Sequence, residues 1–204
     1  MSREQRVSVF PLAGALLFPR LQLPLHIFEP RYRALVSDAV ARDRRIGMVQ
    51  PRGEGPTPPL YDVGCIGHIV HVDALADGRF NIVLEGISRF RILRERAVTT
   101  LFRQVDAVID EWEDDEAAIL PAVVRADLEA ESRRFAESRG YVVDWDSVER
   151  LDDEALVNGI AQAIPFDVPA KQALIEAPTI AERSELIVQF MQFARLSSQG
   201  GTLQ

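Results

Sequence analysis

Lys171 is the only lysine among the 23 basic residues, so any chemistry that needs a lysine must use that one position. A phosphate-binding P-loop places its lysine between glycine and Ser or Thr, where backbone N–H groups and the ammonium converge on one anion. Lys171 sits between Ala170 and Gln172 instead, which excludes a nucleotide engine of that type. A Ser-Lys nucleophile needs a desolvated amine, whereas Lys171 falls in the solvent-prone register of a short helix. The stretch "GISRF", Gly86 to Phe90, imitates the start of a nucleophile elbow. It lacks the second glycine and lies between two strand-like runs, so Ser88 reads as a loop serine.

Cys65, His68 and His71 have the residue types of a zinc site. In a strand, residues three apart point to opposite faces, and no fourth ligand is nearby. The expectation is a buried cysteine and two strand-surface histidines. His26 can approach Cys65 in space, but nothing in the sequence requires a Cys-His pair. The carboxylate pairs Asp114/Asp115 and Asp152/Asp153 fall at helix starts, where capping accounts for them. No catalytic constellation, metal set or cofactor motif emerges.

The elements that must carry these residues divide into two kinds. "QRVSVFPL" alternates as a half-buried strand ended by Pro11 and Gly14, and "ALLF" is a second apolar run stopped by Pro19. In "FPRLQLPLHIFEPRYRAL" the residues before proline are held in extended chain. Tyr32, Leu35, Val36 and Ala39 then recur at helical spacing, with Pro30 in the first turn and Glu29 as a candidate cap. "RRIGMVQ" is a short strand, followed by a proline-rich loop. "VGCIGHIVHVDAL", "ADGRFNIVLEGI", "SRFRILRERAV" and "LFRQVDAVIDEW" are β-rich, and Asp77-Gly78 marks a hairpin. After the acidic run Asp110 to Glu116 the period becomes helical. One helix stops near Gly140, a second starts at "DDEAL", Asp167 caps a third, and Thr179 with Glu182 opens a fourth. In that fourth helix Leu186, Ile187, Phe190, Met191 and Ala194 form one apolar face, and "SSQGGTLQ" reads as a frayed tail.

The 204 residues suit one generous domain or two small ones, and 47% hydrophobic with 26% charged residues is a globular composition. No window approaches a membrane span, and "MSREQRVSVF" lacks the apolar core of a signal peptide. The expected compartment is therefore the cytoplasm, with which a single cysteine agrees. A net charge of −8 argues against nucleic acid. The charge is uneven: residues 1 to 110 hold 15 Lys and Arg against 12 Asp and Glu, residues 111 to 204 hold 8 against 19. Two units follow, expected over 1–112 and 113–204.

"FPLAGALLFPRLQLPLHIFEPRYRALVSDAV" and "YDVGCIGHIVHVDALADGRFNIVLEGISRFRI" resemble the amino-terminal substrate-binding domain of ATP-dependent Lon proteases, and more closely the free-standing bacterial proteins made of that domain alone. A related domain occurs in cereblon. The resemblance covers about residues 7 to 196 and implies an α+β fold: a PUA-like antiparallel β-barrel or folded sheet with one inserted helix, followed by a C-terminal α-helical bundle. It also implies a non-catalytic module that recognises unfolded segments or degrons, without the Lon ATPase and peptidase. Polypeptides or a partner protein are the expected partners, and a homodimer is a further expectation. Candidate contacts are His26, Phe28, Arg31, Tyr32, Arg89 and Arg91. The alternative is an RNA-binding module, since Arg89 and Arg91 share a strand face near Arg94 and Arg96. A third is a small-molecule pocket at the barrel mouth or between the halves.

Overall fold

Asp77-Gly78 does turn the chain. Gly78 has φ +79° and its N–H donates to the Leu75 carbonyl, so the two flanking strands fold back on each other. The computed structural model describes residues 3–109 and 118–199. Its chain divides into two compact units, Met1–Glu116 and Ala117–Gln204. The acidic run from Asp110 to Glu116, the expected boundary at 112/113 and the end of the tail lie outside the described residues.

The first unit holds β1 (Arg3–Pro11), β2 (Gln22–Ile27), α1 (Pro30–Val40), β3 (Arg45–Val49), β4 (Val63–Ala74), β5 (Phe80–Glu95) and β6 (Gln104–Ile109). The sheet order is β2-β5-β4-β3-β1-β6, and β5 also pairs with β6. Five strands thereby close into a barrel, and β2 extends the early half of β5 as a wing. All pairs are antiparallel except β1 with β3. Parallel neighbours need a crossover, and α1, which packs on both strands, lies in it.

Two sequence runs expected as separate strands are one. β5 continues through "GISRF" because β-bulges, in which one extra residue bends a strand without ending it, relieve its curvature. The extra residues are Ile87 and Leu93 on β5 and Val70 on β4. Ser88 is therefore a strand serine, its hydroxyl donating to the Arg89 carbonyl at 3.1 Å.

The barrel core gathers Val7, Val9, Val49, Ile66, Phe90, Val105 and Ala107 from five strands. The Phe90 ring needs two glycines beside it. A Cβ on Gly47 would stand 3.0 Å from its Cζ, and one on Gly64 2.8 Å. Leu16, Leu17 and Phe18 of the second apolar run are buried but irregular.

The second unit holds α2 (Ala122–Arg139), α3 (Trp145–Glu149), α4 (Asp153–Ala163), α5 (Val168–Glu176) and α6 (Ile180–Gln199). Gly140 ends α2 in the left-handed region at φ 68°. Asp152, Asp167 and Thr179 each accept the N–H three residues on, at 2.7, 2.8 and 3.2 Å, and so cap α4, α5 and α6. Asp153 does something else: it accepts from Arg125 Nη1 at 2.6 Å and from the Leu120 N–H at 2.8 Å. The short helix α3 has no counterpart in the sequence reading. Five residues give too few turns for a periodic signal.

Within this unit α6 packs on α2, α4 and α5. Arg183 is buried and donates to the Leu174 and Ala177 carbonyls and to Asn158 Oδ1, tying α4, α5 and α6 together. Glu131 of α2 is likewise buried and accepts from Arg195 of α6 at 2.7 Å and Arg134 at 2.9 Å. Both buried charges are satisfied by fixed partners, which is what makes their burial tolerable.

Candidate functional site

β2 pairs only with β5, so its outer side is a sheet edge, and the proline at position 24 is placed where a sheet accepts one. Register sets His26 opposite Asn81 and Asn81 opposite Asp73, a row across three strands. Asn81 Nδ2 donates to Asp73 Oδ2 at 3.3 Å, which leaves its Oδ1 to accept from His26 Nδ1 at 2.7 Å. Arg79 Nη1 lies 3.2 Å from His26 Nε2, and a guanidinium only donates. This geometry assigns His26 the neutral tautomer with its proton on Nδ1. Arg79 is itself held by Asp77, Nε to Oδ2 at 2.6 Å, and the Arg79 backbone N–H, donating to Asp77 Oδ1 at 3.1 Å, is the main cause that keeps the Asp77 carboxyl below its ordinary range.

Phe28, 60% exposed, stacks on the His26 ring at 6.2 Å between centroids. Arg31 is exposed and pairs with Glu29 at 2.9 Å, so Glu29 holds an arginine rather than capping α1 with its side chain. The Glu29 backbone carbonyl alone accepts from the first turn.

Two expected contacts are core residues. Tyr32 is buried, its ring 4.1 Å from that of Phe10 and its hydroxyl donating to the Pro11 carbonyl at 3.2 Å. Burial raises its phenol above the ordinary value, with the nearby Arg31 charge opposing. Arg89 is 4% exposed, because the bulge at Ile87 shifts the face on which β5 residues point. Arg91 remains exposed on β5.

The arginine stripe that the RNA-binding alternative calls for does not form. Arg94 pairs with Glu4 at 2.6 Å and Asp106 at 2.8 Å, and Arg96 pairs with Asp106 at 2.7 Å. The Asp106 carboxyl is held below its usual range chiefly by the Arg96 hydrogen bond. These cations already have carboxylate partners, so they do not offer bare charge to a phosphate backbone.

Cys65 is buried with its thiol against the Ile66 carbonyl, His68 is half-buried and His71 exposed. No group of three or more potential metal ligands occurs among the described residues. No helix there is long and apolar enough to cross a membrane.

The second unit contains a cavity of about 540 Å³, lined by Phe135, Tyr141, Trp145, Leu156, Ile160 and Met191 among others. That size lies in the range of ligand pockets, and no charged side chain lines it. Its lining comes from α2, α4 and α6 and from the segment carrying α3, which no periodicity announced. Lys171, expected in a solvent-prone register, is 5% exposed. Its ammonium donates to the Gln162 carbonyl at 3.1 Å, and burial pushes its pKa below the usual lysine value. Asn81, Asp73 and Arg79 were not singled out in the sequence. Only the register of three strands joins them to His26, although the Asp77-Gly78 turn fixes half of it.

Fold and site together define a class: an α+β barrel-and-helix module that presents an aromatic and hydrogen-bonded cluster on a barrel extension. Residues 6–192 match the family model of the ATP-dependent protease La (LON) substrate-binding domain, and the chain belongs to that family. It is 29% identical over 183 residues to Lon protease 2 of Herpetosiphon aurantiacus, covering 87% of this chain and 22% of that protein. It is 26% identical over 200 residues to Lon protease 1 of Hydrogenovibrio crunogenus, covering 93% and 24%. The chain thus spans about a quarter of the length of these relatives. Among solved structures, the Lon N-terminal domain protein from Xanthomonas campestris superposes with a TM-score of 0.69 at 20% identity, over 92% of this chain and 99% of the other. The N-terminal domain of the Mycobacterium avium complex Lon protease gives 0.65 at 21%, over 92% and 98%. At that identity the two likenesses establish the fold.

Proposed function

We propose that this chain is a polypeptide-binding module of the cytoplasm that recognises unfolded segments or degrons. Family membership supports substrate recognition. The observation that carries the reading further is Phe28, an exposed aromatic ring stacked on a hydrogen-bonded histidine beside the open edge of β2. A ring fixed in this way loses little freedom when a partner covers it, and an extended segment can add to a free sheet edge through its main chain. His26, Phe28 and Arg31 are the proposed contacts, with Arg91 further along β5.

The test is retention of unfolded against folded forms of the same polypeptides on the immobilised chain. Unfolded forms are expected to be retained selectively, and Phe28→Ala to weaken that retention about tenfold or more, as truncating an aromatic anchor does. The far-UV circular dichroism of Phe28→Ala should match the parent, because the ring is outside the core. Equal retention of folded and unfolded chains would overturn the proposal.

A further inference from the structure

Next to Phe28 in sequence, one face of α1 and the β4–β5 turn enclose a concavity of about 450 Å³. Pro30, Arg33, Ala34 and Ser37 line it at helical spacing from α1, and Gly78 and Phe80 line it from the hairpin. The register places Phe80 opposite Ile27, so this pocket adjoins the end of β2 where the His26 and Phe28 cluster lies.

Arg33 is the unusual member. Its guanidinium fills the space that a side chain at Gly78 would need, and Gly78 is also held at φ +79°. Only glycine serves there on both counts. Arg33 is half-buried, yet among the described residues its guanidinium has neither a hydrogen-bond acceptor nor an ion-pair partner. The neighbouring carboxylates are taken: Glu29 by Arg31, Asp38 by Arg42 and Asp77 by Arg79. The pocket therefore holds one surplus cation, with a fixed planar fork and the Ser37 side chain on the same helix face. Such a fork matches a carboxylate in geometry and charge. A doubly charged phosphate ordinarily gathers more cations than one.

We propose that the Arg33 pocket binds a peptide carboxylate, from either an acidic side chain or a chain terminus, while an apolar residue of the same segment covers Phe28. The inference rests on the polypeptide-binding reading and names its substrate class, an acidic apolar segment. The net charge of −8 repels such a segment at long range, so the attraction is local to the pocket.

The experiment measures fluorescence anisotropy of one labelled apolar peptide in three forms: free C-terminal carboxylate, C-terminal amide, and amide with one internal glutamate. The parent chain is expected to bind at least one carboxylate form about tenfold more tightly than the plain amide, and which form it is identifies the source. Arg33→Gln is expected to abolish that preference while leaving amide binding unchanged. Arg33→Lys, which keeps the charge but loses the fork, should restore it only in part. Equal binding of all three forms to the parent, or a preference that survives in Arg33→Gln, would overturn the inference and leave the polypeptide-binding reading standing. Failure of every form to bind would overturn both.

Discussion

Lys171 carries its ammonium into the helical unit with one hydrogen bond, to a carbonyl in the last turn of α4. The carboxyl end of a helix favours a cation, but burial outweighs that benefit, and the folded-state pKa lies below the ordinary 10.5. Between the folded and unfolded values the unfolded chain binds more protons, so stability rises with pH through that window and levels off above 10.5. Lys171→Met should therefore stabilise the chain at neutral pH by about 1 kcal/mol and flatten the alkaline rise. Urea unfolding of both forms across that range is the check; a parent curve that falls as pH increases would contradict the account. The register misled because spacing reports which helix face a residue occupies. It does not report that α5 packs against both α4 and α6.

At the scale of elements, glycine positions separate two opposite outcomes. Gly159 lies inside α4 with no atom within 4 Å of where a Cβ would stand, and it borders the apolar cavity. Gly159→Ala should thus gain helix propensity without a clash, about 0.5–1 kcal/mol of stability in chemical unfolding. Gly64 has the reverse surroundings, with the Phe90 ring and the Met48 carbonyl where its Cβ would go. Gly64→Ala should cost about 1–3 kcal/mol, because a closed barrel cannot move one strand without shifting its neighbours. The same closure explains β5. Both of its sequence segments pair with β4, while β2 joins only the early one and β6 only the late one.

For the molecule as a whole, charge is distributed unevenly along the chain, and several of its arginines are locally neutralised. Arg94 and Arg96 share Asp106, Arg103 pairs with Glu95, and Arg125 pairs with Asp153 and Glu129. A surface neutralised in this way releases few counterions on meeting nucleic acid. Single-stranded RNA is accordingly expected to show no salt-dependent retention, even at low ionic strength, in a filter or mobility assay. Retention that weakens steeply with salt would show that cations elsewhere on the chain are available.

The sequence determined the local matters: where strands alternate, where proline and glycine stop them, which residues cap helices, and that one hairpin turns at Asp77-Gly78. These depend on backbone sterics and on hydrogen bonds within a few residues, so they can be read from neighbouring letters. It also carried the motif combination by which the family is recognised. Tertiary structure decided which side chains meet. Tyr32 passed from expected contact to buried residue through the packing of α1 on β1, Arg89 through a single bulge, and Asn81, Asp73 and Arg79 joined His26 through strand register. Register and bulges are set by the closure of the barrel around Phe90, a packing condition on residues far apart in the chain. No local pattern encodes it.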